Sequence, residues 1–467
     1  MTTIVNTKLG ENRGKKRIWL EGAKIAREGY RVGQRFDIQV SHEKVTMTLN
    51  EVGQYKVSKR TRKEEEMPII DVNNAEITDT FANTLLLRVV INRGTIVITS
   101  HHQQTRAQER LDRLSAKIKE GTPLDVCSLF HGGGILDKAI HHGLANAGIK
   151  TTIALAVELE SKYLESSLRN NTELWNPKSI VIHAPIESVD LSRTPPQVDI
   201  VVAGIPCTGA SKAGRSKNQN WGDTAGGFAE SHSSAGALFF NFLQFITVLN
   251  PSVIVIENVP EYQNTASMEV IASVLTSLKY TIQMRVLDSS EFGVLEKRKR
   301  LCVVAMTEGL EGFDLGSVAS EPQQPPAQET QKIKHILDDI DLESPRWKEF
   351  DYLRIKQERD IAAGKGFKRQ LITGEETHLG TIGKDYAKCR STEPFIVHPH
   401  DSNKSRLLTP VEHCRVKGVP VSAIAGESDT TAHQILGQSV CFPVFEQVAF
   451  SLGFSLSGQS TLRSQAA

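Results

Sequence analysis

The sequence predicts an α/β protein, with a doubly wound and mostly parallel sheet, a β-rich N-terminal module before it and a smaller domain set into its later part. Three observations carry this. From residue 124 near-continuous apolar strands alternate with amphipathic helices, the pattern of a parallel sheet covered on both faces. Residues 13–100 instead show short strand-like segments punctuated by Gly and Asn. Residues 306–395 break the alternation, and the Pro/Gln-rich stretch "SEPQQPPAQET" (320–330) marks the break as a linker. A chain of 467 residues is too long for one core, so several domains are expected.

In the N-terminal module (1–100) the strands are "RFDIQV" (35–40), "KVTMTL" (44–49), "LLLRVVI" (85–91) and "TIVITS" (95–100), with "EGAKIARE" as one helix. The chain as a whole has a formal net charge of only +1, yet residues 1–63 hold 15 Lys/Arg against 6 Asp/Glu. Such an excess suits nucleic acid, while runs such as "SKRTRKEEE" (58–66) equally suit solvated turns. Residues 17–49 resemble the small β fold of the SymE type, related to swapped-hairpin DNA-binding folds; a docking or dimerising role fits the segment as well. A connecting helix (101–120) follows, with Leu111, Leu114 and Ile118 at helical spacing.

The catalytic α/β domain (121–306) reads as strands "LDVCSLF", "TTIALAVEL", "SIVIHAP", "VDIVVAG", "SVIVIENV", "YTIQMRVLD" and "RLCVVAM", with helices such as "GALFFNFLQFITVL" (236–249) and "MEVIASVLTSLK" (268–279) between them. Residues 307–400 are polar and irregular. The C-terminal segment (401–467) reads as a short α/β-like coda, with Val444, Val448 and Leu452 on one helical stripe. No apolar run reaches the roughly 18 residues of a membrane span, and the N-terminus lacks a signal-peptide core. A cytoplasmic protein is the expectation. The six cysteines are scattered without a CxxC pair, so no metal site is expected and most are read as small buried hydrophobes.

Ligands of open α/β sheets bind beyond the carboxyl ends of the strands, and four segments there carry chemistry. "SLFHGGGILDKAI" (128–140) is a Gly-rich turn into a helix N-terminus, and the next strand ends in "AVELE" (156–160), which sets Glu158 where an acid commonly accepts from a ribose. Together they indicate an adenosine-containing cofactor. "VDIVVAGIPC" (198–207) raises Cys207 at a strand-to-loop turn with Lys212 and Arg215 near in sequence; a free thiol is only a few per cent thiolate at neutral pH, and cations raise that fraction. "VIVIENVPEY" (253–262) ends an apolar strand in Glu257 and Asn258, either a capping pair or a carboxyl group facing the same cleft. In "EFGVLEKRKRLCVVAM" (291–306), Arg298 and Arg300 are either a solvated basic turn or an anion-binding pair.

In this order the segments resemble the DNA (cytosine-5) methyltransferases over residues 121–460. Phe130-His131-Gly132-Gly133-Gly134 is similar to their FxGxG turn, Pro206-Cys207 with Ser211 to their nucleophile loop, Glu257-Asn258-Val259 to their ENV element, and Arg298 and Arg300 to QxRxR. "RLLTPVEHCRVKGVP" (406–420) is similar to RxLTxxExxRxxGxP, and "GQSV" (437–440) to GNSV. The resemblance implies an S-adenosylmethionine-dependent methyltransferase fold and methyl transfer to C5 of a cytosine flipped out of duplex DNA. Cys207 would attack C6, Glu257 would hold and protonate N3, and Arg298, with Arg300 near, would hold the base. It assigns S-adenosylmethionine to Phe130, Gly132, Gly134, Glu158, Leu159, Ile186, Gln438 and Val440, and target recognition to residues 307–400. It also implies double-stranded DNA as partner, with a cognate restriction endonuclease as a further candidate.

The chain departs from the family pattern at Ser128 (usually Asp), Ile135 (Gly), Leu159 (aromatic), Pro185 (Asp), Thr208 (Gln), Glu296 (Gln) and Gln438 (Asn), mostly around the cofactor. Two other readings therefore stay open: a DNA-binding homologue with impaired catalysis or an altered cofactor, and a tRNA methyltransferase, which the dedicated recognition segment disfavours.

Overall fold

The computed structural model describes residues 1–458 except 13, 42–43, 63–64, 74–76, 78–79, 82–83, 194–195, 207–235 and 319–331. The chain forms two compact units, Met1–Glu109 and Arg110–Ala467.

The larger unit is built on one seven-stranded sheet. Its strands are β1 (Leu124–Leu129), β2 (Thr151–Glu158), β3 (Ile180–His183), β4 (Ile200–Gly204), β5 (Val253–Asn258), β6 (Tyr280–Asp288) and β7 (Lys299–Thr307). They lie in the order β3-β2-β1-β4-β5-β7-β6. The five on the β3 side pair in parallel. At the other end β7 inserts between β5 and β6 and pairs antiparallel to both, so the sheet is mostly parallel, as the sequence predicts. The order reverses at β1 and β4, so their carboxyl ends open a crevice there.

The double cover follows from side-chain alternation along each strand. Val126, Val202, Val255 and Val304 join one core, with helices α1 (Ile135–Asn146) and α8 (Phe442–Leu456). Their neighbours Cys127, Val201, Ile254 and Val303 join the opposite core, under α3 (Leu238–Leu249) and α4 (Ala266–Ser277). α2 (Ser161–Asn170) follows β2. The C-terminal segment begins with the strand Lys404–Arg406 and continues as the helices α6 (Pro410–Lys417), α7 (Asp429–Gln438) and α8. The stripe of Val444, Val448 and Leu452 is buried, and α8 comes so close to α1 that a Cβ at Gly143 would stand 2.1 Å from Glu446 O.

Between β7 and α6 lies a small four-stranded sheet of Lys348–Glu349, Lys404–Arg406, Pro394–Val397 and Gln370–Ile372, with α5 (Asp351–Ala362). It has its own apolar cluster, including Ile333, Ile382, Tyr386 and Ile396. The helix His102–Glu120 crosses the boundary between the two units. Its later turns dock by charge: Arg113 Nε donates to Asp199 Oδ1 at 2.9 Å and Lys117 Nζ to Asp199 Oδ2 at 2.6 Å.

The smaller unit is β-rich, with strands Arg35–Ser41, Lys44–Leu49, Leu86–Asn92 and Thr95–Ser100 in a six-stranded antiparallel sheet and a second, four-stranded sheet. The helix read in "EGAKIARE" shrinks to one turn, Ala23–Ala26, because Gly22 precedes it and Arg27–Gly29 turn away at once. Some of the unit's positive charge is paired, as in Arg17–Asp71 and Arg60–Glu21. Among the described residues no single helix is long and apolar enough to cross a membrane.

Candidate active site

A cleft of about 650 Å³ opens at the carboxyl ends of β1, β2, β4 and β5. One wall is the Gly-rich turn. Phe130 leaves β1 at φ 60° and Gly132 follows at φ 59°, so the turn runs through left-handed backbone that glycine adopts most readily. Glu158 is buried and accepts from two backbone amides, Gly132 N at 2.6 Å and Glu160 N at 2.8 Å. The carboxylate thus closes the turn onto the end of β2.

The departure at Ser128 is answered locally. Ser128 Oγ donates to Asp137 Oδ2 at 2.8 Å and meets His131 Nδ1 at 2.9 Å, while His131 Nε2 meets Ser167 Oγ at 2.8 Å. The acid expected on the strand is supplied from α1 instead, and this buried chain pins the turn from behind. Gly134 serves that packing, not the cleft: a Cβ there would lie 2.4 Å from Ser167 Oγ. Gly132 and Gly133 are the glycines that line the cleft, and Gly134, also expected at the cofactor, is not among its lining residues.

Phe130, Leu159, Ile186, Gln438 and Val440 all line the cleft, with Leu159 exposed where an aromatic was expected. Pro185 and Ile186 form its floor after β3. Gln438 Nε2 is buried without a hydrogen-bond partner, beside the point where a Gly132 Cβ would lie. A buried amide without an acceptor costs free energy, and a ligand oxygen would remove that cost. With the glycine cradle and the Glu158 carboxylate, these residues fit S-adenosylmethionine.

At the other end of the cleft stands Glu257, the penultimate residue of β5. Its Oε1 lies 2.8 Å from Arg300 Nε on β7, and both line the cleft. Asn258 is not a helix cap. Its Nδ2 donates to Ile205 O at 3.1 Å and its Oδ1 accepts from Val259 N at 2.9 Å, which ties the exit of β4 to the exit of β5. Ile205 and Pro206 line the cleft; Cys207 lies outside the described residues. Of the other thiols, Cys127, Cys302, Cys414 and Cys441 are buried. Burial pushes all four up, Cys414 to about 12 and Cys441 to about 11, which leaves them poor nucleophiles.

Arg298, expected at the base, does not reach the cleft. It is buried, with Nη1 on Glu296 Oε1 and Ile382 O and Nη2 on Gly437 O, each at 3.2 Å. Arg300 is the arginine that faces the site. Sequence reasoning also missed Lys384, which comes from the polar region yet lines the cleft with its Nζ 5.1 Å from the Tyr163 ring centroid. It missed Lys417 too, wholly buried against Glu296; Glu296 standing in place of the family's Gln was the available signal. Among the described residues no group of three or more His, Cys, Asp or Glu could hold a metal ion.

Comparison with known proteins gives a consistent result. The family model for C-5 cytosine-specific DNA methylase matches residues 124–453. The type II methyltransferase M.NlaX of Neisseria lactamica is 31% identical over 273 residues, covering 57% of this chain and 79% of that protein. The type II methyltransferase M.HhaI of Haemophilus parahaemolyticus is 27% identical over 281 residues, with the same two coverages. In fold, the chain is similar to the Dnmt2 methyltransferase of S. pombe, with a TM-score of 0.54 at 16% identity over 71% of this chain and 98% of the other.

Proposed function

Because the chain belongs to the C-5 cytosine-specific DNA methylases, whose enzymes draw the methyl group from S-adenosylmethionine, we propose that it methylates cytosine within a specific duplex sequence through a covalent adduct on Cys207. The observation that carries the reading is the Glu257–Arg300 pair at 2.8 Å, which shares one cleft with the glycine turn and Glu158.

C5 of cytosine is a weak nucleophile and needs activation at C6. The Cys207 thiolate adds to C6 while Glu257 delivers a proton to N3, leaving an enamine that is nucleophilic at C5. Arg300 holds the Glu257 carboxyl in place and opposes the negative charge that develops on the ring. When bound, S-adenosylmethionine supplies an electrophilic methyl group; Phe130, Gly132, Glu158, Leu159, Ile186, Gln438 and Val440 would hold it. Loss of the C5 proton to solvent, expulsion of the thiolate and return of the N3 proton to Glu257 restore the aromatic ring and the acid. The reacting carbons are unreachable in a stacked duplex, so the base must turn out into the cleft.

Target recognition belongs in this reading to residues 307–400, whose Lys and Arg residues suit phosphate and base edges. The basic N-terminal module is a second candidate for nucleic-acid contact. Since the relatives are type II methyltransferases, a cognate restriction endonuclease is the partner to seek. Bisulfite sequencing of DNA from cells expressing the chain tests activity and target together, and 5-methylcytosine at one recurrent sequence is expected. Duplex carrying 5-fluorocytosine at that position should crosslink to the wild-type chain and not to Cys207→Ser. Absence of both methylation and crosslink overturns the proposal.

A further inference from the structure

Gln438 ends α7, where a helix leaves its last carbonyls without intrahelical partners. The carbonyls on either side of it are gripped by two buried cations. Arg298 Nη2 donates to Gly437 O at 3.2 Å, and Lys417 Nζ donates to Ser439 O at 3.2 Å. One carboxylate holds both cations: Glu296 Oε1 accepts from Arg298 Nη1 at 3.2 Å and Oε2 from Lys417 Nζ at 2.9 Å. The same Oε1 accepts from Ile382 N at 3.1 Å, which brings the recognition region into the arrangement.

Glu296 and Lys417 are 0% exposed, and a buried ion pair is often no more stabilising than an apolar pair of equal volume. An apolar pair could not, however, hold the peptide groups on both sides of Gln438. The side chain so framed ends in the buried, unpartnered Nε2, 3.7 Å from where a Gly132 Cβ would lie.

We propose that Glu296, Lys417 and Arg298 form a cradle of positioning residues that aims the Gln438 amide at an acceptor oxygen of S-adenosylmethionine. None of the three touches the cofactor; they act through the Gly437 and Ser439 carbonyls. The inference rests on the reading of the cleft as the S-adenosylmethionine site. E296Q strips two buried cations of their shared carboxylate, whereas K417M keeps the Glu296–Arg298 pair and the double substitution leaves one cation instead of two, so both tolerate burial better than E296Q does.

The experiment measures equilibrium binding of S-adenosylmethionine by the full chain and by Q438L, K417M, E296Q/K417M and Q438L/K417M, with folding checked by circular dichroism. Kd should rise about tenfold in Q438L and about as much in K417M and E296Q/K417M, the loss of one good hydrogen bond. In Q438L/K417M it should rise no further than in Q438L alone, since the cradle acts only through that amide. The cofactor KM should follow Kd while kcat stays near the wild-type value. Folded K417M or E296Q/K417M binding as tightly as wild type overturns the cradle alone. So do Q438L and K417M effects that simply multiply. A wild-type chain that binds no S-adenosylmethionine overturns the reading of the cleft and the cradle with it.

Discussion

Acid should loosen the wall of the cleft before it reaches the catalytic chemistry. His413 on α6 and His433 on α7 are both buried, with their Nδ1 atoms 3.0 Å apart and the Tyr386 ring packed edge-on to His433 at 5.0 Å. Burial holds His433 down from 6.5 to about 4, and burial together with Lys417 and His433 holds His413 well below its ordinary value. The sign follows from linkage. Above pH 6.5 both histidines are neutral in either state and contribute no pH dependence; as pH falls, the unfolded chain takes up protons that the folded chain refuses, so stability is lost between pH 6.5 and 4. For His433 alone the loss between pH 7.5 and pH 5.0 is about 2 kcal/mol, and His413 adds to it. The assay is urea unfolding of the full chain at the two pH values, followed by intrinsic fluorescence, for wild type and His433→Gln. The variant starts less stable but should show a smaller drop. A wild-type drop no larger than that of the variant refutes the argument.

Three further outcomes follow from the site. Arg300→Ala leaves Glu257 without its cleft partner and should lower kcat by about two orders of magnitude while S-adenosylmethionine binding persists, as read by single-turnover methylation and equilibrium binding. A Cβ at Gly132 would stand in ordinary contact with Gln438 Nε2 at 3.7 Å and bear left-handed backbone strain of about 1 kcal/mol, whereas a Cβ at Gly133 falls 2.5 Å from Ile435 Cγ2; of the two, Gly133→Ala should displace α7 and cost more than tenfold in cofactor affinity. Ser128→Ala strips Asp137 and His131 of their shared hydroxyl and should lower the urea midpoint by the equivalent of about 1–3 kcal/mol.

The strands and helices of the larger unit were legible because a strand buried on both faces has to be apolar throughout, and the acids ending β2 and β5 stand out against that background. Glu158 and Glu257 were found this way, and both line the cleft. Strand direction was not legible: β7 is equally apolar whichever way it runs, and only its pairing shows it inserted antiparallel beside β5.

The same divide runs through the polar residues. Arg298 and Arg300 are two apart, which on one strand would put them on one face, but β7 begins only at Lys299. Arg298 therefore sits in the preceding loop and follows its partners, Glu296, Ile382 and Gly437, away from the cleft. Lys417 reads in sequence as a solvated lysine and is buried only because Glu296, distant along the chain, meets it there. Local pattern determined which residues end the strands and which helices cover them, since hydrophobic periodicity is a property of neighbours in sequence. The tertiary structure alone decided which charges face the cleft and which are buried behind it, because a charge stays buried only where partners from other segments surround it.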